Sequence, residues 1–166
     1  MIIADLNEIN GRTFPAGRIT KNLVGGGSVI QAQHFSLGYV TLAPKGGQVP
    51  WHQQDQEEIY FVLEGTGEMC LGDEKKIIHG GQVVFIPSEE FHQLTNVGED
   101  PLVMIYCYGP AGDVAHWRQE LNDTLPRAGT DVPPLPEGAW PQRIGSATNG
   151  TGAGGTDGDS GIGDGL

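Results

Sequence analysis

Between positions 35 and 108 a Gly- or Pro-bearing break interrupts the chain at almost every strand-length interval, and this constrains its fold more than any other feature. The intervening runs include F-S-L-G-Y-V-T-L-A from Phe35, I-Y-F-V-L from Ile59, Q-V-V-F-I from Gln82 and L-V-M-I-Y-C-Y from Leu102. They are rich in β-branched and aromatic residues and too short for ordinary helices. About seven short strands without intervening helices predict an antiparallel all-β barrel or sandwich. A length of 166 residues accommodates one domain with a substantial core.

The flanks read differently. Residues 1–34 form an N-terminal arm with short strands at Ile2-Ile3 and Leu23-Val24, a turn-rich stretch at 10–17, and a hinge-like break at 25–27. Such an arm has the reach to lie across a neighbouring subunit. The barrel core is assigned to residues 35–110. Residues 111–142 hold one short helix and a Pro-rich strap packed on the barrel. The helix is predicted over 113–121, with Asp113 as N-cap and Val114, Trp117 and Leu121 on the face that packs against the outside of the barrel. The strap is anchored by Trp140. Residues 143–166 are a Gly-rich, low-complexity tail with too little apolar content to offset its ordering entropy.

Charge narrows the function. Nine basic against 21 acidic side chains leave a net charge of −12, which repels phosphate backbones and anionic membranes. Neither nucleic acid nor a membrane is therefore an expected partner. The N-terminus lacks the basic and apolar regions of a signal peptide, and no run approaches the ~20 apolar residues of a membrane span. Cys70 and Cys107 lie within strands and read as buried thiols. Together these features predict a cytoplasmic protein.

The chemistry concentrates in residues 46–65, G-G-Q-V-P-W-H-Q-Q-D-Q-E-E-I-Y-F-V-L-E-G. His52, Gln54 and Glu58 stand at the entrance to an apolar strand, where a buried imidazole or carboxylate is costly unless something binds it. Residues two apart on a strand share a face, so Glu58, Tyr60 and Val62 point one way and Ile59, Phe61 and Leu63 the other. His52 and Gln54 share the parity of Glu58, and His92 on a later strand can face it across a lumen. Two imidazoles and one carboxylate suit Fe(II), and also accept Mn, Ni, Co, Cu or Zn. Tyr60 is a candidate for orienting substrate; Phe85, Leu94, Met104 and Tyr106 are candidate cavity wall. Trp51 either roofs the opening or packs on its rim, and Asn96 stabilises a turn. His34, His79 and His116 have no ligand-like partners in register and read as ordinary strand or helix residues.

The spacing Gly46-x5-His52-x-Gln54-x3-Glu58-x6-Gly65, followed by Gly81-x5-Pro87-x-Glu89-x2-His92-x3-Asn96, resembles the two motifs of the cupin superfamily. It departs from them at Gln54, where the family has its second histidine, and at Glu89, where it has a turn glycine. The resemblance implies a double-stranded β-helix, or jelly-roll barrel, usually dimeric. It implies one divalent metal held by His52, Glu58 and His92, with Gln54 as a weaker fourth ligand or a hydrogen-bonding group. The resulting expectation is a metal-dependent enzyme acting on a small oxygenated molecule, foremost a non-haem dioxygenase. A metal-dependent isomerase, lyase or cyclase, or a non-catalytic small-molecule-binding barrel, is the alternative. Tyr60 and Gln54 are the candidate proton-handling groups.

Overall fold

The computed structural model describes residues 1–145, so the expected flexible tail lies, from residue 146 onward, outside the described residues. The strands run β1 (Arg12–Phe14), β2 (Arg18–Val24), β3 (Ser36–Leu42), β4 (Gln48–His52), β5 (Glu57–Glu64), β6 (Thr66–Leu71), β7 (Glu74–His79), β8 (Val83–Ile86), β9 (His92–Asn96) and β10 (Leu102–Gly109). One helix, α1 (Ala115–Leu121), follows. The strands form two antiparallel sheets, ordered β1-β2-β3-β10-β5-β8 and β4-β9-β6-β7. These face each other as a jelly-roll barrel.

Alternation along the strands builds the lumen. In β5, Glu58, Tyr60 and Val62 are buried while Ile59, Phe61 and Leu63 are more exposed, as parity requires. In β10, Leu102, Met104, Tyr106 and Tyr108 are buried alternately with half-buried neighbours. With Val40, Leu42, Val49, Ile86 and Leu94 these side chains make the core. Burying each large aliphatic side chain of this kind contributes roughly 1.5–3 kcal/mol. Phe85, expected in the cavity wall, is instead 54% exposed, because it pairs with outward-facing Ile59 and shares its side of the sheet.

Both motifs leave their mark on the backbone. Gly65 has φ +94°, and a Cβ there would stand 2.8 Å from Leu102 Cα, so this position requires glycine. Glu89, replacing the turn glycine of the second motif, keeps the left-handed conformation at φ 64°, and its N–H donates to Gln54 O at 2.7 Å. Asn96 is fully buried. Its amide donates to Leu42 O and Asp100 O, and its Oδ1 accepts from Gly98 N–H, so the side chain ties a turn as expected.

The N-terminal segment departs from its expected form. Ile2 and Ile3 are exposed and irregular, β1 occupies part of the stretch read as a turn, and β2 is a full seven-residue strand. Strand β2 pairs with the chain's own β3 in the register Arg18↔Leu42 to Asn22↔Gly38.

Helix α1 also differs. Its N-cap is Val114, without a side-chain cap, because the Asp113 carboxylate is engaged with Arg118 instead. Leu121 is 45% exposed, and the buried helix residues are His116 and Glu120. The helix therefore faces the cavity rather than the outer wall.

The strap covers the outer face of β4 and β9. Trp51 is buried there, stacked on Phe91 at 5.6 Å, with its indole N–H donating to Pro133 O at 2.9 Å. It thus neither roofs the cavity nor sits on its rim. Gln93 Nε2 donates to Trp140 O, Gln48 Nε2 to Pro141 O and Gln142 Nε2 to Trp51 O. Trp140 itself is 40% exposed and anchors chiefly through its backbone, donating N–H to Glu68 Oε1 at 2.7 Å. Both cysteines are free thiols. Cys70 is buried, its thiol pushed up to about 12 by burial and by Glu68, while Cys107 is partly exposed.

Candidate metal centre

His52 ends β4, His92 opens β9, and the two are register partners across one sheet. Glu58, near the start of β5, comes from the opposing sheet. All three are buried, and one ligand atom from each lies within 4.8 Å of the others. His92 Nε2 stands 3.4 Å from Glu58 Oε2, and the two imidazole centroids are 4.1 Å apart.

Backbone carbonyls set the orientation of both rings. His52 Nδ1–H donates to Pro50 O at 2.7 Å, and His92 Nδ1–H to Glu90 O at 2.9 Å. Each bond directs the Nε2 lone pair inward, the arrangement by which an outer partner fixes a metal-ligating histidine. Among the described residues, His52 Nε2, His92 Nε2 and Glu58 Oε2 have no hydrogen-bond partner although they are buried. Leaving such atoms unpaired costs about 1–3 kcal/mol each. A divalent cation among them satisfies all three. The residues present therefore fit a metal.

The electrostatics agree. Burial, with His92 nearby, holds the His52 imidazole well below its ordinary pKa, keeping it neutral as a ligand must be. Burial raises the Glu58 carboxyl, an effect opposed by His92, Tyr60 and Arg18. A cation removes that penalty by pairing with the carboxylate.

Gln54 is buried just beyond β4, and neither atom of its amide has a partner. It lines a narrow cavity together with Glu58 and Tyr60. Tyr60 is 2% exposed, and its ring meets His92 edge-on at 5.8 Å. Burial and the Glu58 carboxylate hold the phenol well above its ordinary pKa, so its hydroxyl stays protonated. Met104 and Tyr106 line the same cavity, as expected, and Leu94 belongs to the core beside it.

Three site residues escape a reading of the sequence. His116 of α1, read there as an ordinary helix residue, lies against His52 with centroids 3.6 Å apart. It is buried, and both its ring nitrogens lack partners. Burial, then His52, holds its pKa well below the ordinary value. One turn on, Glu120 stands 3.7 Å from His116 and pairs with Arg18 of β2. Arg18 is 2% exposed, its guanidinium 3.8 Å above the Phe14 ring, and it lines the cavity with His116 and Gln54. The signal for the helix pair was its i,i+4 spacing beside Val114 and Trp117. Arg18 gave none, since R-I-T-K-N alternates with its polar residues inward and Ile19 outward, reversing the usual pattern.

Comparison with known proteins accords with this geometry. Residues 38–108 match the family model described as a cupin domain. The chain is 37% identical over 67 residues to a glucose-6-phosphate isomerase of Pyrococcus furiosus, covering 37% of this chain and 34% of that one. It is 35% identical over 71 residues to the dimethylsulfoniopropionate lyase DddQ of Ruegeria pomeroyi, covering 42% and 35%. The crystal structure of that lyase superposes with a TM-score of 0.54 at 24% identity, over 64% of this chain and 58% of that one. A cupin described as RmlC-like, from Shewanella frigidimarina, superposes with a TM-score of 0.57 at 15% identity, over 67% and 92%. The chain spans between 16% and 56% of the length of the curated relatives considered. Barrel, motif spacing and family match agree on one stretch: residues 38–108 match the cupin domain family, and the fold is that of a cupin-like barrel.

Proposed function

We propose that this cupin is a metal-dependent enzyme that holds one divalent first-row metal on His52, Glu58 and His92 and acts on a small oxygenated metabolite by isomerase-, lyase- or cyclase-type chemistry. The observation that carries this is the set of three buried, mutually close donor atoms without protein partners, two of them aimed by backbone carbonyls. When bound, the metal supplies Lewis-acid polarisation of a substrate carbonyl or hydroxyl. The chain's own residues do the rest. Tyr60 donates a hydrogen bond from the cavity wall, Gln54 offers an amide oxygen as a fourth donor or an N–H to substrate, and apolar Val49 and Met104 restrict water. Resemblance to an isomerase and a lyase supports this class of reaction.

A second reading, a mononuclear non-haem dioxygenase with Fe(II), is favoured by the two-His-one-Glu donor set, which leaves adjacent positions for substrate and dioxygen. Protein purified without added metal should contain about one equivalent of a first-row metal by elemental analysis. Absence of metal before and after reconstitution sinks both readings. Oxygen uptake with catechols, diketones and thiols then favours the dioxygenase, while anaerobic turnover of sugars or hydroxy acids favours the Lewis-acid reaction. Metal without turnover in either panel indicates a binding protein. A homodimer is part of the proposal, supported by the outward row of Ile59, Val83 and Phe85 on β5 and β8, which are 36%, 58% and 54% exposed.

A further inference from the structure

The lumen contains a cation that the metal site does not need. Arg18 is almost fully buried, yet it meets its counter-ion at one point, through Nη2 to Glu120 Oε1, while its Nε and the second Glu120 oxygen, Oε2, lack partners. A buried pair that served only to fasten helix to barrel would gain most from a two-point fork, because each unmet polar atom carries its desolvation cost. Glu120 borders a separate small cavity with Leu125 and Arg143, whereas Arg18 lines the cavity shared with Glu58, Gln54 and His116. Glu120 thus pairs with the guanidinium without lining that cavity, and the side chains that share the cavity with Arg18 and lack partners among the described residues include His116 and Gln54.

Charge points the same way. A divalent metal on Glu58, together with Arg18 and Glu120, leaves the lumen with a net positive charge. Such a charge is costly in a buried cavity unless the ligand brings a negative one. We propose that Arg18, held by Glu120 and flanked by His116 and Gln54, is a carboxylate-binding subsite, and that the substrate is a small hydroxy or oxo acid spanning from Arg18 to the His52-Glu58-His92 cluster. The planar fork of arginine matches a carboxylate, and the narrowness of the cavity limits the ligand to a small molecule. The overall charge of −12 slows the approach of such an anion but acts weakly beyond about 8 Å at physiological salt. This inference rests on the metal reading above.

The test uses the full chain loaded with Co(II), metal content being measured first, so that failure to bind metal is separated from failure of the subsite. Lactate and its neutral analogue lactamide are titrated at pH 8 by calorimetry. Wild type should prefer lactate, and Arg18→Gln should reduce that preference by about tenfold or more at unchanged metal content, the loss of a charge-assisted hydrogen bond. Glu120→Gln keeps an acceptor for Arg18 and removes a negative charge, so lactate should bind about threefold or more tightly while lactamide is unchanged. If Arg18→Gln does not fold, the Glu120 variant decides the question. An unchanged lactate preference in Arg18→Gln, unchanged or weaker lactate binding in Glu120→Gln, or inorganic phosphate binding tenfold more tightly than lactate would each overturn the proposal.

Discussion

His116 packs against His52 with ring centroids 3.6 Å apart and the planes tilted by 36°, which brings the helix following the barrel into contact with a candidate metal ligand. The contact makes the cavity a joint product of both sheets and α1.

Removing ligands should remove metal. His52→Ala, His92→Ala and Glu58→Gln each delete one of three converging donors, so metal content should fall from about one equivalent to below about a tenth after dialysis. Elemental analysis checks this, with circular dichroism to show that the barrel remains.

Gln54 stands, unpartnered, at the position of the family's second histidine. Gln54→His should raise metal affinity by about tenfold or more, since imidazole is the better donor for first-row metals. Chelator competition measures the change. An unaltered affinity would place the Gln54 side chain beyond ligating reach.

Glu120 links stability to pH. Burial raises its carboxyl to about 7 from 4.5, against the opposing pull of Arg18. Its other neighbours are His116 on the same helix, and Asp123 and Arg143 around the adjoining cavity. The folded state holds this proton more tightly than the unfolded chain does. The contribution is therefore complete below about pH 4.5 and is lost as pH rises through about 7, by about 3 kcal/mol at most. Urea melts of metal-free protein at pH 4.5 and 7.5 should show Glu120→Gln gaining on wild type by up to about that amount at the higher pH.

Asn96→Ala should cost about 3 kcal/mol, because it removes the buried amide's bonds to the Leu42 and Asp100 carbonyls and frees the turn at Gly98. Thermal melting measures the loss, and a shift of only a degree or two would contradict the account.

Phe85→Glu places a charge in the outward row formed with Ile59 and Val83. If this row is buried between two copies, the variant should elute as a monomer on size-exclusion chromatography where wild type elutes as a dimer. Unchanged elution would move the interface elsewhere or remove it.

The barrel was legible because period-2 alternation and glycine breaks are local properties. Glu58 and Tyr60 share a face by parity alone, and Gly65 is dictated by its own φ and its closeness to Leu102. The candidate ligand triad was legible because each of the two motifs that carry it is contiguous along the chain. Arg18, His116 and Glu120 were not, since their meeting depends on where α1 docks after the last strand. Within residues 110–121, Val114 and Trp117 signal an apolar face without saying what it meets, and the His-Glu pair passes for an ordinary solvated helix face. Phe85 failed for a related reason. Its run is apolar on both sides, so the pattern could not say which side meets solvent.

The strap also affects dynamics. Every residue of β4 and β9 is buried, because the core lies on one side and strap bonds from Gln48, Trp51 and Gln93 cover the other. Local opening needs exposed backbone and few apolar contacts, and these two strands have neither. Their amides should be among the slowest in the chain to exchange with deuterium, which gives His52 and His92 a frame that does not breathe with the loops around it. Cutting the chain before the strap would turn that frame into the wet outer face of a sheet, and metal retention would then become a sensor of whether the strap is in place.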